Sequence, residues 1–121
     1  MRDFRKLRTW RKAHALSINV YRVATGIRGS EFASLKSQML RAAMSIPTNI
    51  VEGTGQESQK EFGRFLTIAL KSASELQYQL TFANDIRAIR RSDFESLLAQ
   101  AVEVQKMTYG LRNKVISDTA Q

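Results

Sequence analysis

The sequence predicts an all-α protein, an antiparallel up-down-up-down four-helix bundle forming a single domain over residues 1–121. Its 121 residues include one proline and six glycines, and four of these glycines form two close pairs, so long uninterrupted segments remain. Apolar residues in those segments recur at spacings of three and four, the period of a helix. No alternating run typical of a strand competes with that pattern. Short connections between successive helices favour antiparallel neighbours.

The first helix is expected over residues 4–24 and the second over residues 31–52. Ser30 is a good N-cap for the second helix, with Glu31 in its first turn, and Gly53 is a natural C′ glycine at its end. On a helical projection, one arc of the first helix carries its apolar and small residues, namely Leu7, Trp10, Ala13, His14, Ser17, Val20, Tyr21 and Ala24.

The third helix is expected over residues 59–85 and the fourth over residues 93–115, with a frayed tail at residues 117–121. Ser58 and Glu61 have the spacing of a capping box at the start of the third helix. Its apolar seam has a heptad period with small residues in the middle, which suits close antiparallel packing: Phe62, Leu66, Ala69, Ala73, Leu76, Leu80 and Ala83. The fourth helix buries Phe94, Leu97, Leu98, Ala101, Val104, Thr108, Leu111 and Val115.

The second helix is apolar on two sides and contains the only proline, Pro47. Proline removes one helical hydrogen bond, so the helix should bend near Pro47 and the Ala43 carbonyl should need another donor. One apolar face fits the bundle core, and the second predicts contact with another subunit. On the outer face of the third helix, charged residues in the first half give way to large apolar residues in the second half, which also predicts contact with another element or subunit. The expected oligomer interface is Leu40, Met44, Val51, Tyr78 and Phe82.

Between the two apolar faces lies a line of polar residues: Gln38, Arg41, Ser45, Asn49 and Glu52. One interpretation is a buried hydrogen-bond network that fixes helix register, with Arg41 and Glu52 as a charge-matched pair and Asn49 satisfying backbone groups near Pro47. The other is a small site for a polar ligand.

The net charge of +8 favours association with polyanions, although it can also serve solubility alone. Arg5, Arg8, Arg11, Lys12 and Arg22 share one arc of the first helix. They are the candidate nucleic-acid-binding residues, with a solvated helix face as the alternative. Binding there would be directed to the backbone, because no base-reading motif accompanies the charge, and Trp10 lies on the opposite, core-facing side.

No catalytic set is evident, so an enzyme is not expected. His14 is the only histidine and is interpreted as a partly buried packing residue. The chain has no cysteine, Glu-x-x-His pair or phosphate-binding glycine loop, so no metal and no cofactor is expected. A cytoplasmic protein is expected, since no signal peptide or membrane-length apolar run is evident.

Three motifs resemble a known family. They are Leu7-x-x-Trp10-x-x-Ala13-x-x-Leu16 followed by Tyr21; Leu35-x-x-Gln38-x-x-Arg41-Ala42-Ala43-x-Ser45-Ile46-Pro47-x-Asn49-Ile50-x-Glu52-Gly53; and Phe62-x-x-Phe65-Leu66-x-Ile68-Ala69-x-x-Ser72 with Glu75-Leu76. They resemble the four-helix-bundle family encoded in 23S ribosomal RNA intervening sequences over nearly the whole chain. The departure is Gly29-Ser30 before Glu31, where the family often has a proline.

That resemblance implies a bundle assembled as a ring-like homopentamer. It also implies kinship with the accessory variability proteins of diversity-generating retroelements, which are basic and bind nucleic acid and a reverse transcriptase. The leading hypothesis is a non-catalytic homo-oligomer that binds RNA or DNA backbone. The alternative is a protein-interaction adaptor without a nucleic-acid role. The expected partners are the protein itself, structured RNA or DNA, and a reverse transcriptase or other protein, with no membrane.

Overall fold

The computed structural model describes residues 3–119, and this part of the chain forms a four-helix bundle without strands. Its helices are α1 (Arg8–Ala24), α2 (Ala33–Thr54), α3 (Gln59–Asp85) and α4 (Arg91–Thr119). Short 3-10 turns at Phe4–Lys6 and Ser30–Phe32 precede α1 and α2. Helix α1 packs against α2 and α4, and α3 packs against the same two helices from the other side. The predicted fold class is confirmed.

Both N-terminal helices begin later than predicted, because a 3-10 turn takes the first positions. Asp3 accepts a hydrogen bond from the Arg5 amide and caps the turn at Phe4–Lys6, and Leu7 is then extended. Before α2, Gly29 adopts a φ of 108°, which favours glycine, and Ser30 becomes the first residue of a turn instead of an N-cap. The N-cap half of the predicted capping box is confirmed, since the Ser58 side chain accepts from the Glu61 amide. The Glu61 carboxylate accepts from Arg64 Nε at 3.0 Å.

The predicted C′ role of Gly53 is wrong. Gly53 lies inside α2, which ends at Thr54, and its φ is not positive. A Cβ at this position would lie 2.7 Å from Cδ1 of Phe62. The absence of a side chain therefore lets α2 and α3 approach closely where the chain turns between them.

Helix α4 is longer than predicted at both ends. It begins at Arg91, where the sequence suggested residue 93, and continues through the expected frayed segment to Thr119. Residues 120 and 121 of that predicted tail lie outside the described residues. Before α4, Arg87 at a φ of 61° ends α3, with its amide donating to Asn84 and the Ala88 amide to Ala83. This is a Schellman ending made without glycine, so no glycine signalled it in the sequence.

The α3 seam forms the centre of the core as predicted, and all seven of its residues are buried. The predicted face of α4 is buried or half-buried throughout. On α1 the buried arc is rotated by roughly 60° from the predicted one. Leu16 is fully buried, whereas His14 and Tyr21 are exposed. The inward set also includes small residues, Ala13 and Ser17, which let α1 approach α2 closely.

Helix α2 continues through Pro47, and the carbonyl that proline deprives of a helical donor finds one on another helix. Ser17 Oγ of α1 lies 2.8 Å from the Ala43 oxygen and donates to it. Asn49 does not provide this bond; its Nδ2 donates to the Ser45 carbonyl. The predicted need of Ala43 for a second donor is thus met across the α1/α2 contact.

Candidate functional site

The predicted buried polar network is formed only in part. Gln38, Arg41 and Glu52 are exposed, so their assignment to a buried network is wrong. Arg41 and Glu52 are eleven residues apart on one helix, about 16 Å along its axis, which is too far for an ion pair. Gln38 donates to Ser34, one turn earlier on the surface.

The remaining members connect α2 to α3. Ser45 accepts from Asn49 Nδ2 at 3.0 Å and from Ser72 Oγ of α3 at 2.7 Å. Because Ser72 is buried and Ser45 and Asn49 are half-buried, this small network supports the interpretation of helix register. The signal for Ser72 in the sequence was its place in the family-like motif of the third helix.

The five predicted nucleic-acid-binding residues do not form one continuous patch. Arg5 lies in the first 3-10 turn, and its backbone oxygen accepts from Arg11 Nη1 at 3.0 Å. Lys12 faces α4 and lies 3.4 Å from the Glu103 carboxylate. Arg22 lies ten residues beyond Lys12, about 15 Å along α1. Only the other four residues, Arg5, Arg8, Arg11 and Lys12, are therefore near one another.

A second basic surface, which the sequence did not predict, lies between α3 and α4. A cleft of about 530 Å³ there is lined by Lys71, Lys106 and the exposed ring of Tyr109, with no carboxylate in its wall. Among residues 3–119, neither lysine forms an ion pair, and Glu75, one turn from Lys71, accepts instead from Gln79. We call this the α3/α4 groove.

The α3/α4 groove is held by hydrogen bonds between its two helices and extends toward the end of the bundle. Gln105 accepts from Gln77 and donates to Ser74, both at 2.8 Å. Arg112 Nε donates to Thr67 Oγ1 at 2.7 Å, and a second cleft of about 480 Å³ shares Thr67 with the first. These side chains come from two helices some thirty residues apart, so no local sequence pattern groups them.

The α1/α2 surface is apolar and aromatic. Trp10 stacks on His14 with ring centroids 5.0 Å apart and meets Phe4 edge-on at 4.8 Å. His14 is therefore a surface stacking partner, and the prediction of partial burial is wrong. A groove of about 380 Å³ runs between this cluster and Met44, which is 60% exposed. We call it the α1/α2 groove.

Two of the other predicted interface residues, Tyr78 and Phe82, lie at a different groove, between α2 and α3. Tyr78 and Phe82 of α3 are exposed, with ring centroids 6.4 Å apart, and they border a groove of about 340 Å³ shared with the start of α2. We call it the α2/α3 groove. Leu40 and Val51 are half-buried, and Val51 lines the α1/α2 groove together with Met44. The predicted interface residues thus contribute to two apolar patches, Met44 and Val51 to one and Tyr78 and Phe82 to the other.

Among the described residues, no three His, Asp or Glu side chains converge where they could hold a metal ion. None of the described helices combines the length and the apolar character needed to cross a membrane.

Comparison with known proteins identifies the family of this bundle. A sequence profile of the 23S rRNA-intervening sequence protein family matches residues 5–110. The chain belongs to that family. The profile covers α1 to α3 and most of α4, and so includes both basic surfaces and most residues of the three grooves. No curated protein matches the chain.

A solved relative of the 23S rRNA-intervening sequence protein has the same fold. It is a protein of unknown function from the S23 ribosomal protein family of Bacteroides thetaiotaomicron VPI-5482. It is 25% identical, superposes with a TM-score of 0.80, and the match covers 86% of this chain and 97% of the relative. The shared bundle therefore accounts for nearly all of both chains.

Proposed function

We propose that this 23S rRNA-intervening sequence protein is a non-catalytic homo-oligomer that binds the backbone of RNA or DNA. The α3/α4 groove is the observation that carries the proposal. Its two lysines have no carboxylate partner in the described chain, and their charge adds to a net +8. Lysine and arginine side chains free of intramolecular partners neutralise phosphates and release counterions, which supplies backbone affinity.

Arg5, Arg8, Arg11 and Lys12 form a separate basic surface at the N-terminal end of the described chain. Arg8 forms no ion pair among residues 3–119, and Arg11 is exposed beside it. Neither basic surface has the features of a reader of base edges, so binding of this kind would depend weakly on sequence. Tyr109 adds an exposed ring in the α3/α4 groove on which an unpaired base could stack.

Assembly is supported by the two apolar patches on either side of α2. Met44 is 60% exposed and Tyr78 is 67% exposed, and each lies beside other exposed apolar or aromatic groups, as at surfaces that bind a partner. Since the patches differ in shape and composition, a contact between one patch and the other on the next copy would be head-to-tail, the kind that closes rings. The family resemblance favours five copies. Assembly would multiply the positive charge available to one nucleic acid.

An adaptor that binds another protein is the second candidate function, and the α1/α2 groove favours it. A row of exposed aromatic and apolar groups beside Met44 is suited to receive an apolar helix of a partner. A reverse transcriptase, suggested by the resemblance to accessory variability proteins, would be such a partner.

The deciding experiment is binding of a generic structured RNA and of duplex DNA, measured by fluorescence anisotropy at rising salt. Affinity should fall steeply between about 50 and 200 mM salt, and similarly for unrelated sequences. Light scattering at each salt concentration should show a constant assembly mass. This control excludes dissociation of the oligomer as the cause of weaker binding. Absence of binding at about 50 mM salt would refute the nucleic-acid role and leave the adaptor.

A further inference from the structure

The α2/α3 groove contains a buried polar atom that residues 3–119 leave without a hydrogen-bond partner. Gln79 is 5% exposed, and its Nε2 donates to Glu75 Oε1 at 3.0 Å. Its Oε1 has no hydrogen-bond partner among the described residues. Buried amide carbonyls are nearly always paired, so this atom needs a donor from outside the chain.

Rotating the amide does not remove the problem. With its oxygen and nitrogen exchanged, Gln79 would direct its carbonyl at the Glu75 carboxylate, and two acceptors would face each other. The bond to Glu75 therefore fixes the orientation, and Oε1 is the atom left for a donor. Gln38 and Phe82, its neighbours in the groove wall, are exposed, so they can move aside without disturbing the core.

The remaining wall of the groove describes the chemistry of that donor. It contains the Glu31 carboxylate and the rings of Tyr78 and Phe82, and no lysine or arginine of residues 3–119 lines it. A carboxylate, aromatic faces and an unpaired carbonyl together suit a cation that has several N–H donors and an apolar stem. An arginine side chain meets these requirements, since its planar guanidinium can donate to two acceptors and stack on a ring.

We propose that the α2/α3 groove is a socket for an arginine side chain of a second copy of this chain. This inference rests on the proposed homo-oligomer and names a polar contact within it. The chain has 19 lysines and arginines against 11 acidic residues, so a second copy presents an excess of basic side chains. Arg8 and Arg41, for example, form no ion pair in the described chain. The exposed Tyr78 and Phe82 rings would be covered by the same contact.

The test compares Gln79→Met with Gln77→Met, using sedimentation velocity over a range of protein concentrations. Methionine keeps the length of the side chain and removes the carbonyl, so Gln79→Met should weaken self-association by roughly tenfold or more. Its melting temperature should stay the same or rise, because a buried unpaired acceptor is removed. Gln77→Met loses a bond to Gln105 on the α3/α4 side and should leave self-association unchanged. Glu31→Gln, at an exposed position, should weaken association without affecting folding.

A small probe tests the socket directly. Agmatine carries a guanidinium on an aliphatic stem, and it should shift the side-chain amide signals of Gln79 in the NMR spectrum of the wild-type protein. It should also compete with self-association, and both effects should be reduced by Glu31→Gln.

The possible outcomes distinguish failure of the arginine socket from failure of the proposed homo-oligomer. If the wild type assembles and both Gln79→Met and Glu31→Gln assemble equally well, the socket is overturned and the homo-oligomer stands. If the wild type is a monomer at every concentration, the homo-oligomer fails, and a second copy as occupant fails with it. Selective loss of assembly in these two variants, with Gln77→Met unaffected, supports the socket.

Discussion

Ser17 Oγ donates to the Ala43 carbonyl at 2.8 Å, and this carbonyl is the one that Pro47 leaves without a helical donor. The bond joins α1 to α2 at a buried position. The Ser17 side chain of α1 thus supplies the hydrogen bond that the backbone of α2 lacks at Pro47. The same bond fixes the rotation of α1 about its axis.

Removing this hydroxyl should destabilise the fold in a way that depends on the proline. Ser17→Ala should lower the free energy of unfolding by about 1–2 kcal/mol, because the buried carbonyl loses its donor. In a Pro47→Ala background the restored backbone N–H supplies the helical bond, so the same substitution should cost about 1 kcal/mol less. Urea denaturation of the four proteins of this cycle measures the coupling.

Thr108→Val is the matched control for Ser17→Ala. Both hydroxyls lie near a carbonyl of their own helix, Ser17 near Ala13 at 3.1 Å and Thr108 near Val104 at 2.7 Å. Thr108 is also buried, but the carbonyl that it bonds can keep its backbone donor, unlike that of Ala43. The loss of unfolding free energy caused by Thr108→Val should be the same with proline or alanine at position 47. If the loss caused by Ser17→Ala is also the same with and without Pro47, Ser17 does not compensate for the missing amide of Pro47.

Two glycine-to-alanine substitutions should have opposite effects on stability. Gly53→Ala places a Cβ 2.7 Å from Phe62 and should cost about 1–3 kcal/mol through overpacking between α2 and α3. Gly110→Ala, in α4 where the added Cβ would contact no other helix of the described chain within 4 Å, should stabilise by about 0.5–1 kcal/mol through helix propensity. Thermal unfolding distinguishes the two signs, and a tolerated Gly53→Ala would show that Phe62 can move aside.

Met44→Glu should dissociate the proposed oligomer while leaving the fold intact. The side chain is 60% exposed in one chain, so a charge there is tolerated by the monomer but would be buried without a partner in an interface. Light scattering should report monomer mass, with unchanged helicity by circular dichroism. Ile116→Glu, at 40% exposure on the α3/α4 side, is the control and should keep the assembly. A wild type of monomer mass would refute assembly through α2.

Charge reversal should show which basic surface binds nucleic acid. Lys71→Glu with Lys106→Glu should reduce affinity and lower the steepness of its salt dependence by about two counterions, one for each phosphate that is no longer neutralised. Arg8→Glu with Lys12→Glu tests the N-terminal residues in the same way.

The control is Lys36→Glu with Lys114→Glu, which makes the same change in net charge away from the α3/α4 groove. Equal losses of affinity in all three proteins would show that net charge alone matters.

The sequence predicted the heptad seam of α3 because the position of each seam residue follows from spacing alone. It placed α1 less well. His14 and Tyr21 have amphipathic side chains, so periodicity assigned them to the buried face, although both are exposed. The rotation of the helix depends instead on Ser17 and Ala43, which come from two different elements. Residue types alone also misled for the polar line on α2. Arg41 and Glu52 have opposite charges, but they are too far apart along the helix to form an ion pair.

The sequence by itself determined the number of helices, their type, the α3 core and the need of the Ala43 carbonyl for another donor, because these depend on local periodicity and on the missing amide of Pro47. Only the tertiary structure decided that Ser17 supplies the donor, that Lys71 and Lys106 share a groove, and that the buried Gln79 carbonyl has no partner among residues 3–119. Each of these features joins residues from helices that are distant in the chain, or depends on what the neighbouring helix leaves uncovered.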